Sequence, residues 1–315
     1  MQPLTIIAGP CSVDYQNIAE IEQIAQIKVE QNGMKIPAIS GARVVGLKSR
    51  TELKPEEGVW VGIDYEAIIQ NLEIYANGGS VNDYVQLPSV EIGSKIQSET
   101  GLQIASEILL PSIQLPCVAR EFKNKPFLAW LPAVNQLGWS VLEMANFAKR
   151  NGWSIGLKNG KWIGSHYSEV ERTDYTGSAT SLEKTWSGLI SYAKKNNPNE
   201  VVLIQRGVED PDKADLRNRP IHHTACRIKM ANPGQPMYFD PSHVYGPKSR
   251  HIIIQETVKA MQIKLPNGSY LYDGVLIEVG TSKSDTDQHI SITELDDLCQ
   301  KLSQVRELNF RNSSK

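Results

Sequence analysis

The sequence is short of cysteine and has no extended apolar run. The four cysteines lie far apart, without a Cys-x-x-Cys pair, at Cys11, Cys117, Cys226 and Cys299. This spacing provides no disulfide framework and favours free thiols in a reducing compartment. No apolar stretch approaches the roughly 18 residues that a membrane-spanning helix needs, and the first residues lack the basic start of a signal peptide. We therefore expect a cytoplasmic protein with no membrane partner.

The chain also lacks an excess of charge of either sign. It has 33 Lys and Arg residues against 35 Asp and Glu residues, for a net charge of -2. This balance gives no support for a nucleic-acid partner, whereas a small anionic substrate needs only a few local cations. The sequence contains no Walker A motif, no His-Glu-x-x-His motif and no Gly-x-Gly-x-x-Gly after its first apolar segment, which argues against a dinucleotide fold.

The chain does contain a repeated alternation of short apolar strands and amphipathic helices. Eight buried strands are predicted, at 4–8, 42–47, 102–105, 127–131, 154–157, 201–204, 237–240 and 275–279. Most are followed by helical spacing of apolar residues, as in 15–31. Eight such units predict an α/β fold with a closed (β/α)8 TIM barrel, and a doubly wound open sheet is the competitor. We expect one domain over 1–310, with an insertion at about 52–90 and a frayed tail at 311–315.

Polar residues stand at or just after the ends of these predicted strands. In a barrel of parallel strands, the C-terminal ends share one face, and active sites lie there. The strand-end residues are Cys11, Lys48, Arg50, Glu107, Lys158, Arg206, His243, Glu278 and Asp285. They separate into two chemical groups.

The first group has the chemistry of a metal site. It joins one thiol, one imidazole and two carboxylates, from Cys11, His243, Glu278 and Asp285. This mixed set suits a divalent transition metal, although the residues are scattered along the chain. Cys11 could instead be a small buried hydrophobe, and His243 a hydrogen-bonded strand-end histidine. Glu278 stands in an apolar strand where a carboxylate needs a partner, so its alternative is an ion pair with a lysine or arginine of the barrel.

The second group consists of the cations Lys48, Arg50, Lys158 and Arg206. Four cations at one end of a barrel repel one another unless an anion lies between them, and arginine offers phosphate two parallel hydrogen bonds. They therefore predict an anion site, with solvated loop side chains as the alternative. Looser candidates are Arg120, Lys161, His222 and Arg227. The tryptophans that we expect to pack against the barrel are Trp130, Trp139, Trp153 and Trp162.

The strand-end motifs resemble those of the class I 3-deoxy-7-phosphoheptulonate synthases and their relatives, the 3-deoxy-octulosonate 8-phosphate synthases. The matching pieces occur in the family's order: AGPCSV at 8–13, KSRT at 48–51, GLQIASE at 101–107, GLKNGK at 156–161, QRG at 205–207, DPSH at 240–243 and LIEV at 276–279. The resemblance implies a TIM-barrel transferase of the shikimate pathway. It would condense phosphoenolpyruvate with an aldose phosphate, most simply erythrose 4-phosphate, to give 3-deoxy-7-phosphoheptulonate and phosphate.

The resemblance also implies roles for individual residues. The implied ligands of a divalent metal of the Mn, Fe, Co or Zn class are Cys11, His243, Glu278 and Asp285, with Asp287 as the alternative to Asp285. The implied substrate-binding residues are Lys48, Arg50, Thr51, Lys158 and Arg206. Lys158 and Glu107 are the implied catalytic residues. We also expect a homo-oligomer.

The sequence departs from the family's pattern in several places. Ser49 replaces the family's proline, and Gly280 stands where a histidine is usual. The Gly-Ala-Arg element after the fourth strand is missing, and 131–133 (LPA) resembles the octulosonate branch. Phosphoenolpyruvate and metal binding remain expected, while the aldose is left open. The alternatives are arabinose 5-phosphate, another aldose, or a non-catalytic descendant that binds an anion.

Overall fold

The structure, a computed structural model, describes residues 3–49, 60–61, 63–196, 198–282 and 286–309. Three of the predicted site residues, Arg50, Thr51 and Asp285, lie outside the described residues, as does the predicted tail. Most of the segment 52–62 within the predicted insertion lies outside them as well.

Eight parallel strands close into a barrel, which confirms the predicted (β/α)8 fold. In chain order they are β1 (Thr5–Gly9), β2 (Gly41–Arg43), β3 (Gln103–Glu107), β4 (Phe127–Trp130), β5 (Ser154–Lys158), β6 (Glu200–Gln205), β7 (Met237–Phe239) and β8 (Gly274–Glu278). Each strand pairs with the next, and β8 closes onto β1. In that closing pair, Thr5 lies opposite Gly274 and Gly9 opposite Glu278. The C-terminal ends of all eight strands therefore meet at one face.

Helices surround the barrel. In chain order they are α1 (Ile18–Ala25), α2 (Tyr65–Ala76), α3 (Pro88–Thr100), α4 (Pro111–Phe122), α5 (Gly138–Asn151), α6 (Tyr167–Val170), α7 (Ser181–Lys195), α8 (His222–Ala231), α9 (Pro241–Tyr245), α10 (Ile253–Ala260) and α11 (Ile292–Val305). Within the described part of the chain, no helix combines the length and the apolarity needed to cross a membrane.

The predicted helix over 15–31 is wrong in its second half. Helix α1 ends at Ala25, and Lys28–Gln31 pairs antiparallel with Met34–Pro37. Between these strands, Asn32 and Gly33 have φ values of 53° and 75°. Two consecutive positive φ angles make the tight hairpin turn that Asn-Gly favours. The Asn-Gly pair is therefore a turn between strands and not the end of a longer helix.

Four of these helices were not predicted, namely the short α6 and α9 and the longer α4 and α8. Helix α4 carries Pro111 at its first turn and Pro116 in its interior, and an interior proline breaks the usual helical pattern. Helix α8 lies in a polar segment that showed no clear periodicity. In both cases, packing against the barrel outweighs weak local signals.

The tryptophan prediction is only partly right. Trp153 is fully buried, with its ring centroid 5.1 Å from that of Phe127. Trp130 is also buried, but it belongs to the apolar cluster inside the barrel. Trp139 and Trp162 are 80% and 64% exposed, so the prediction that they pack against the barrel is wrong.

Candidate active site

Four strands place charged side chains at their last residues. Arg43 ends β2, Glu107 ends β3, Lys158 ends β5 and Glu278 ends β8, and all four are buried. Lys48 follows β2 and lies in a short hairpin in which Lys48–Ser49 pairs with Trp60–Val61. Barrel closure thus brings these residues to one face, where the sequence placed all of them except Arg43.

Glu107 is held by two lysines and a tryptophan. Its Oε1 accepts a hydrogen bond from Lys48 Nζ, and its Oε2 accepts from Lys158 Nζ at 3.2 Å and from Trp130 Nε1 at 3.0 Å. Burial by itself would raise the pKa of Glu107, but the two lysines outweigh burial and hold this pKa well below its ordinary value. The carboxylate is therefore ionised and fixed between two ammonium groups.

Lys158 lies at the centre of the cluster. Its Nζ is 3.2 Å from Glu107 Oε2 and 4.0 Å from Asp240 Oδ2. Burial lowers the pKa of Lys158 and outweighs the two carboxylates, with Lys48 and Arg43 acting in the same direction as burial. An ammonium group with a lowered pKa can both bind an anion and exchange a proton.

Glu278 forms an ion pair with Arg43, a residue that sequence reasoning missed. Arg43 NH1 lies 3.0 Å from Glu278 Oε1, and both side chains are fully buried. Burial would raise the pKa of Glu278, but Arg43 and then His243 hold it far below its ordinary value. The structural alternative for Glu278, an ion pair with a barrel arginine, is thus present. A charged residue in the apolar run GARVV was the available signal, and it is the same signal that singled out Glu278.

His243 lies in the short helix α9, which starts at Pro241. Asp240 caps this helix, and its Oδ1 accepts the backbone N–H of His243 at 3.2 Å. The Asp240 carboxylate also lies 2.9 Å from His243 Nδ1. Burial lowers the pKa of His243 well below its ordinary value, and nearby Lys158 acts in the same direction. The imidazole is therefore neutral, with Nδ1 held by Asp240, which leaves Nε2 as its other polar atom.

Arg206 and Gln205 present buried polar atoms to the same region. Within the described residues, Arg206 NH1 and both ends of the Gln205 side-chain amide have no hydrogen-bond partner. The Arg206 backbone is held by Asn159 Oδ1, which accepts its N–H at 2.8 Å. Burial and the neighbouring Arg217 lower the pKa of Arg206 to about 10. Buried polar atoms without partners are costly, and an anionic ligand would accept hydrogen bonds from Arg206 NH1 and from Gln205 Nε2.

Arg217 and Gln288 were also missed by sequence reasoning. Arg217 NH1 donates to Gln288 Oε1, and Gln288 Nε2 donates to Glu278 Oε2. Gln288 therefore links the cationic side of the site to the Glu278 carboxylate. Arg217 stands in the polar segment 208–230, to which no element was assigned, so no strand end drew attention to it.

The predicted metal ligands are only partly brought together. His243 Nδ1 lies 3.9 Å from Glu278 Oε1, and the buried Cys11 donates its backbone N–H to His289 Nε2 at 2.8 Å. Asp287, the alternative to Asp285, has an exposed side chain. Among the described residues, no three His, Cys, Asp or Glu side chains are grouped so that they could hold a metal ion.

The looser candidates have structural partners. Arg120 donates to the Tyr84 carbonyl at 3.1 Å, and Arg227 pairs with Glu183. His222 Nδ1 lies 2.7 Å from the hydroxyl of Tyr272. Lys161 Nζ lies 3.2 Å from Glu209 Oε2. These contacts explain the positions of the four side chains, and no ligand is needed to explain them.

Solved structures of known proteins resemble this chain in fold. The crystal structure of phospho-2-dehydro-3-deoxyheptonate aldolase (DAHP synthase) from Thermotoga maritima matches with a TM-score of 0.62 and 15% identity, over 97% of this chain and 71% of that chain. A truncated form of 3-deoxy-D-arabino-heptulosonate 7-phosphate synthase from Thermotoga maritima matches with the same TM-score and identity, over 97% and 89% of the two chains. No protein-family model and no curated protein matches the sequence. At this identity, the likeness shows a shared barrel fold.

Proposed function

We propose that this protein is a metal-dependent transferase that condenses phosphoenolpyruvate with an aldose phosphate, with erythrose 4-phosphate as the leading candidate. The observation that carries the proposal is the buried cationic cluster at the C-terminal face. Arg43, Lys48, Lys158 and Arg206 lie there around Glu107 and Asp240. Apart from Arg43, these side chains belong to the strand-end motifs that resemble the synthases, and the barrel fold is shared with a DAHP synthase.

The cluster suits an acid with both a phosphate and a carboxylate. Lysine and arginine side chains would hold these two anionic groups and orient C3 of phosphoenolpyruvate toward the aldehyde carbon. C3 then attacks that carbon, water adds at C2, and inorganic phosphate leaves. The fixed cations stabilise the negative charge that develops on the departing phosphate. Lys158, with its lowered pKa, is suited to give a proton to the new alkoxide oxygen or to take one from the attacking water.

A divalent metal is part of the proposal, with Cys11, His243, Glu278 and Asp285 as its ligands. The donor chemistry fits, because a thiol, a neutral imidazole and an ionised carboxylate suit a transition metal. When bound, the metal would supply a Lewis acid for the aldehyde oxygen. Since Arg43 pairs with Glu278, a metal would have to share this carboxylate with Arg43 or compete for it.

Arabinose 5-phosphate is the second candidate for the aldose. Strand β4 ends at Trp130 and is followed by Leu131-Pro132-Ala133, where the heptulosonate branch has Gly-Ala-Arg. An apolar segment in place of an arginine changes the groups available to the phosphate end of the sugar. This difference favours a sugar whose phosphate binds cations elsewhere in the site.

The proposal is tested by supplying the purified protein with phosphoenolpyruvate, a series of divalent metals and a panel of phosphorylated and free aldoses. We expect phosphate release that depends on both the metal and one aldose, and Cys11→Ala should lose the metal dependence. Phosphoenolpyruvate binding without phosphate release from any aldose would favour the anion-binding descendant. Full metal-dependent turnover by Cys11→Ala would contradict the ligand assignment.

A further inference from the structure

Trp130 lies inside the barrel and contacts the candidate site. It is the last residue of β4, is fully buried and lies in the apolar cluster inside the barrel. Gly156 stands opposite it in β5. A Cβ atom at Gly156 would lie 3.1 Å from Trp130 Cβ and 2.7 Å from Ile204 Cδ1. The glycine thus leaves room for Trp130 Cβ and for the end of the Ile204 side chain.

The indole contacts the charged groups of the site directly. Its Nε1 donates to Glu107 Oε2 at 3.0 Å, and Lys158 Nζ donates to the same oxygen at 3.2 Å. The ring centroid lies 5.6 Å from Arg43 Cζ and 5.6 Å from Lys158 Nζ. One aromatic ring therefore contacts two cations and the carboxylate between the lysines.

Among the described residues, Trp153 and Trp186 are also fully buried tryptophans, and they bond differently. Trp153 Nε1 donates to the carbonyl of Phe122 at 2.8 Å, and Trp186 Nε1 donates to the carbonyl of Leu157 at 3.2 Å. Both satisfy their indole N–H with backbone, as a packed core tryptophan usually does. Only Trp130 among these three donates to an ionised side chain.

The hydrogen bond from Trp130 to Glu107 restricts rotation of the Glu107 carboxylate about its last torsion. The last torsion of glutamate is broad and roughly two-fold, so two lysine partners alone leave the carboxylate plane free to turn. Lysine ammonium groups move readily on their flexible stems and would follow this rotation. A third donor at Oε2 fixes the plane and thereby fixes the direction in which both lysines present their remaining N–H groups.

We propose that Trp130 is a positioning residue of the anion site, which acts through Glu107 to orient Lys48 and Lys158 toward a phosphorylated ligand. The inference rests on the proposed function insofar as the ligand is phosphoenolpyruvate. It also holds for any other phosphorylated ligand of the same cluster, so inorganic phosphate serves as a second probe.

The test compares Trp130→Phe with Trp153→Phe, each of which loses one buried indole hydrogen bond and keeps a ring. Affinity for phosphoenolpyruvate and for inorganic phosphate is measured by calorimetry without aldose. Losing a hydrogen bond to a charged group should weaken anion binding in Trp130→Phe by roughly tenfold to a hundredfold. Trp153→Phe should keep wild-type affinity, while thermal melting shows that both variants lose stability.

A double-mutant cycle separates positioning from simple packing. If Trp130 acts through Glu107, Trp130→Phe should weaken anion binding no further in the Glu107→Gln background. Equal affinity in Trp130→Phe and the wild type, or additive losses in the double variant, would overturn the inference. Phosphate binding without phosphoenolpyruvate binding would refute the proposed substrate and leave this comparison intact. Binding of neither anion by the wild type would refute both.

A measurement on the unaltered chain covers the case in which Trp130→Phe does not fold. The chain contains six tryptophans, whose indole N–H groups are separately observable by NMR. On addition of inorganic phosphate, the signal of Trp130 should shift and that of Trp153 should stay in place. An unmoved Trp130 signal at saturating phosphate contradicts the inference.

Discussion

Both ends of the barrel contain buried charged side chains, but the hydrogen-bond partners of these side chains differ between the two ends. At the N-terminal end, Lys229 Nζ donates to Asp273 Oδ2 and to the Gln235 carbonyl, each at 2.6 Å, and the same Asp273 oxygen accepts the Met237 N–H at 2.8 Å. At the C-terminal end, two lysines share the single carboxylate of Glu107. In the described part of the chain, Arg206 NH1 has no hydrogen-bond partner there.

This difference separates a structural ion pair from a binding site. A cation and a carboxylate that pair with each other and with backbone groups are already satisfied, so a ligand would not stabilise them further. Cations in excess of their carboxylates, with polar atoms left over, are stabilised by an added anion. Burial of charge is therefore common to both ends, and the surplus of cations is what marks the C-terminal face. The N-terminal end also opens into a cavity of about 680 Å³, whose lining includes Glu200 and Asp273.

The largest contrast should appear when one lysine is removed from each end. Lys158→Met removes an ammonium group that contacts Glu107, and we expect kcat/KM for phosphoenolpyruvate to fall by about 10²–10³. Lys229→Met leaves Asp273 without its cation, and should cost about 3–5 kcal/mol of stability. The folded fraction of Lys229→Met should keep wild-type kcat/KM. Phosphate-release kinetics and urea unfolding measure the two effects, and equal losses of turnover would abolish the distinction between the ends.

Acid should destabilise the packing around His222 at a higher pH than it protonates the carboxylates of the site. Burial lowers the pKa of His222 from 6.5 to about 4. Between these two pH values, His222 is protonated in the unfolded chain and neutral in the folded protein. Stability should fall from pH 6.5 toward 4, by up to roughly 3 kcal/mol from this residue. Glu107, whose pKa is depressed, stabilises the fold above its ordinary pKa, and this contribution is lost only as the pH falls further.

Urea unfolding at pH 7 and at pH 5 checks this order. His222→Phe should reduce the loss of unfolding free energy between these two pH values. Some loss should remain, because burial lowers the pKa of His243 in the same direction. The exposed His251→Phe is the matched control. An unchanged pH dependence of stability in His222→Phe would show that His222 does not contribute.

The smallest contrast concerns two glycines inside the barrel. A Cβ at Gly156 would lie 2.7 Å from Ile204 Cδ1 beside Trp130, and a Cβ at Gly274 would lie 2.7 Å from Tyr238 Cδ1 at the N-terminal end. Either change to alanine should cost about 1–3 kcal/mol through overpacking. Gly156→Ala should also weaken phosphoenolpyruvate binding, and Gly274→Ala should not. Weakened binding in both variants would mean that strain spreads through the whole barrel interior.

Much of the architecture could be predicted because its signals are local. Short apolar runs ended by polar residues predicted eight strands, and their alternation with helices predicted the parallel barrel. Glu107, Lys158 and Glu278 were predicted as site residues for the same reason, since each stands at a strand end. Helix α4 and the hairpin around Asn32 and Gly33 escaped prediction, because proline within a helix and a turn after α1 give conflicting local signals.

The sequence by itself determined which side chains could reach the C-terminal face, because strand order and strand ends are written along the chain. Only the tertiary structure decided how they pair: Arg43 with Glu278, Trp130 with Glu107, and Gln288 between Arg217 and Glu278. Apart from Glu278 and Gln288, which are 10 residues apart, these partners lie far apart in sequence. Their meeting depends on barrel closure, strand register and the space left by a residue such as Gly156, and no local pattern records any of these.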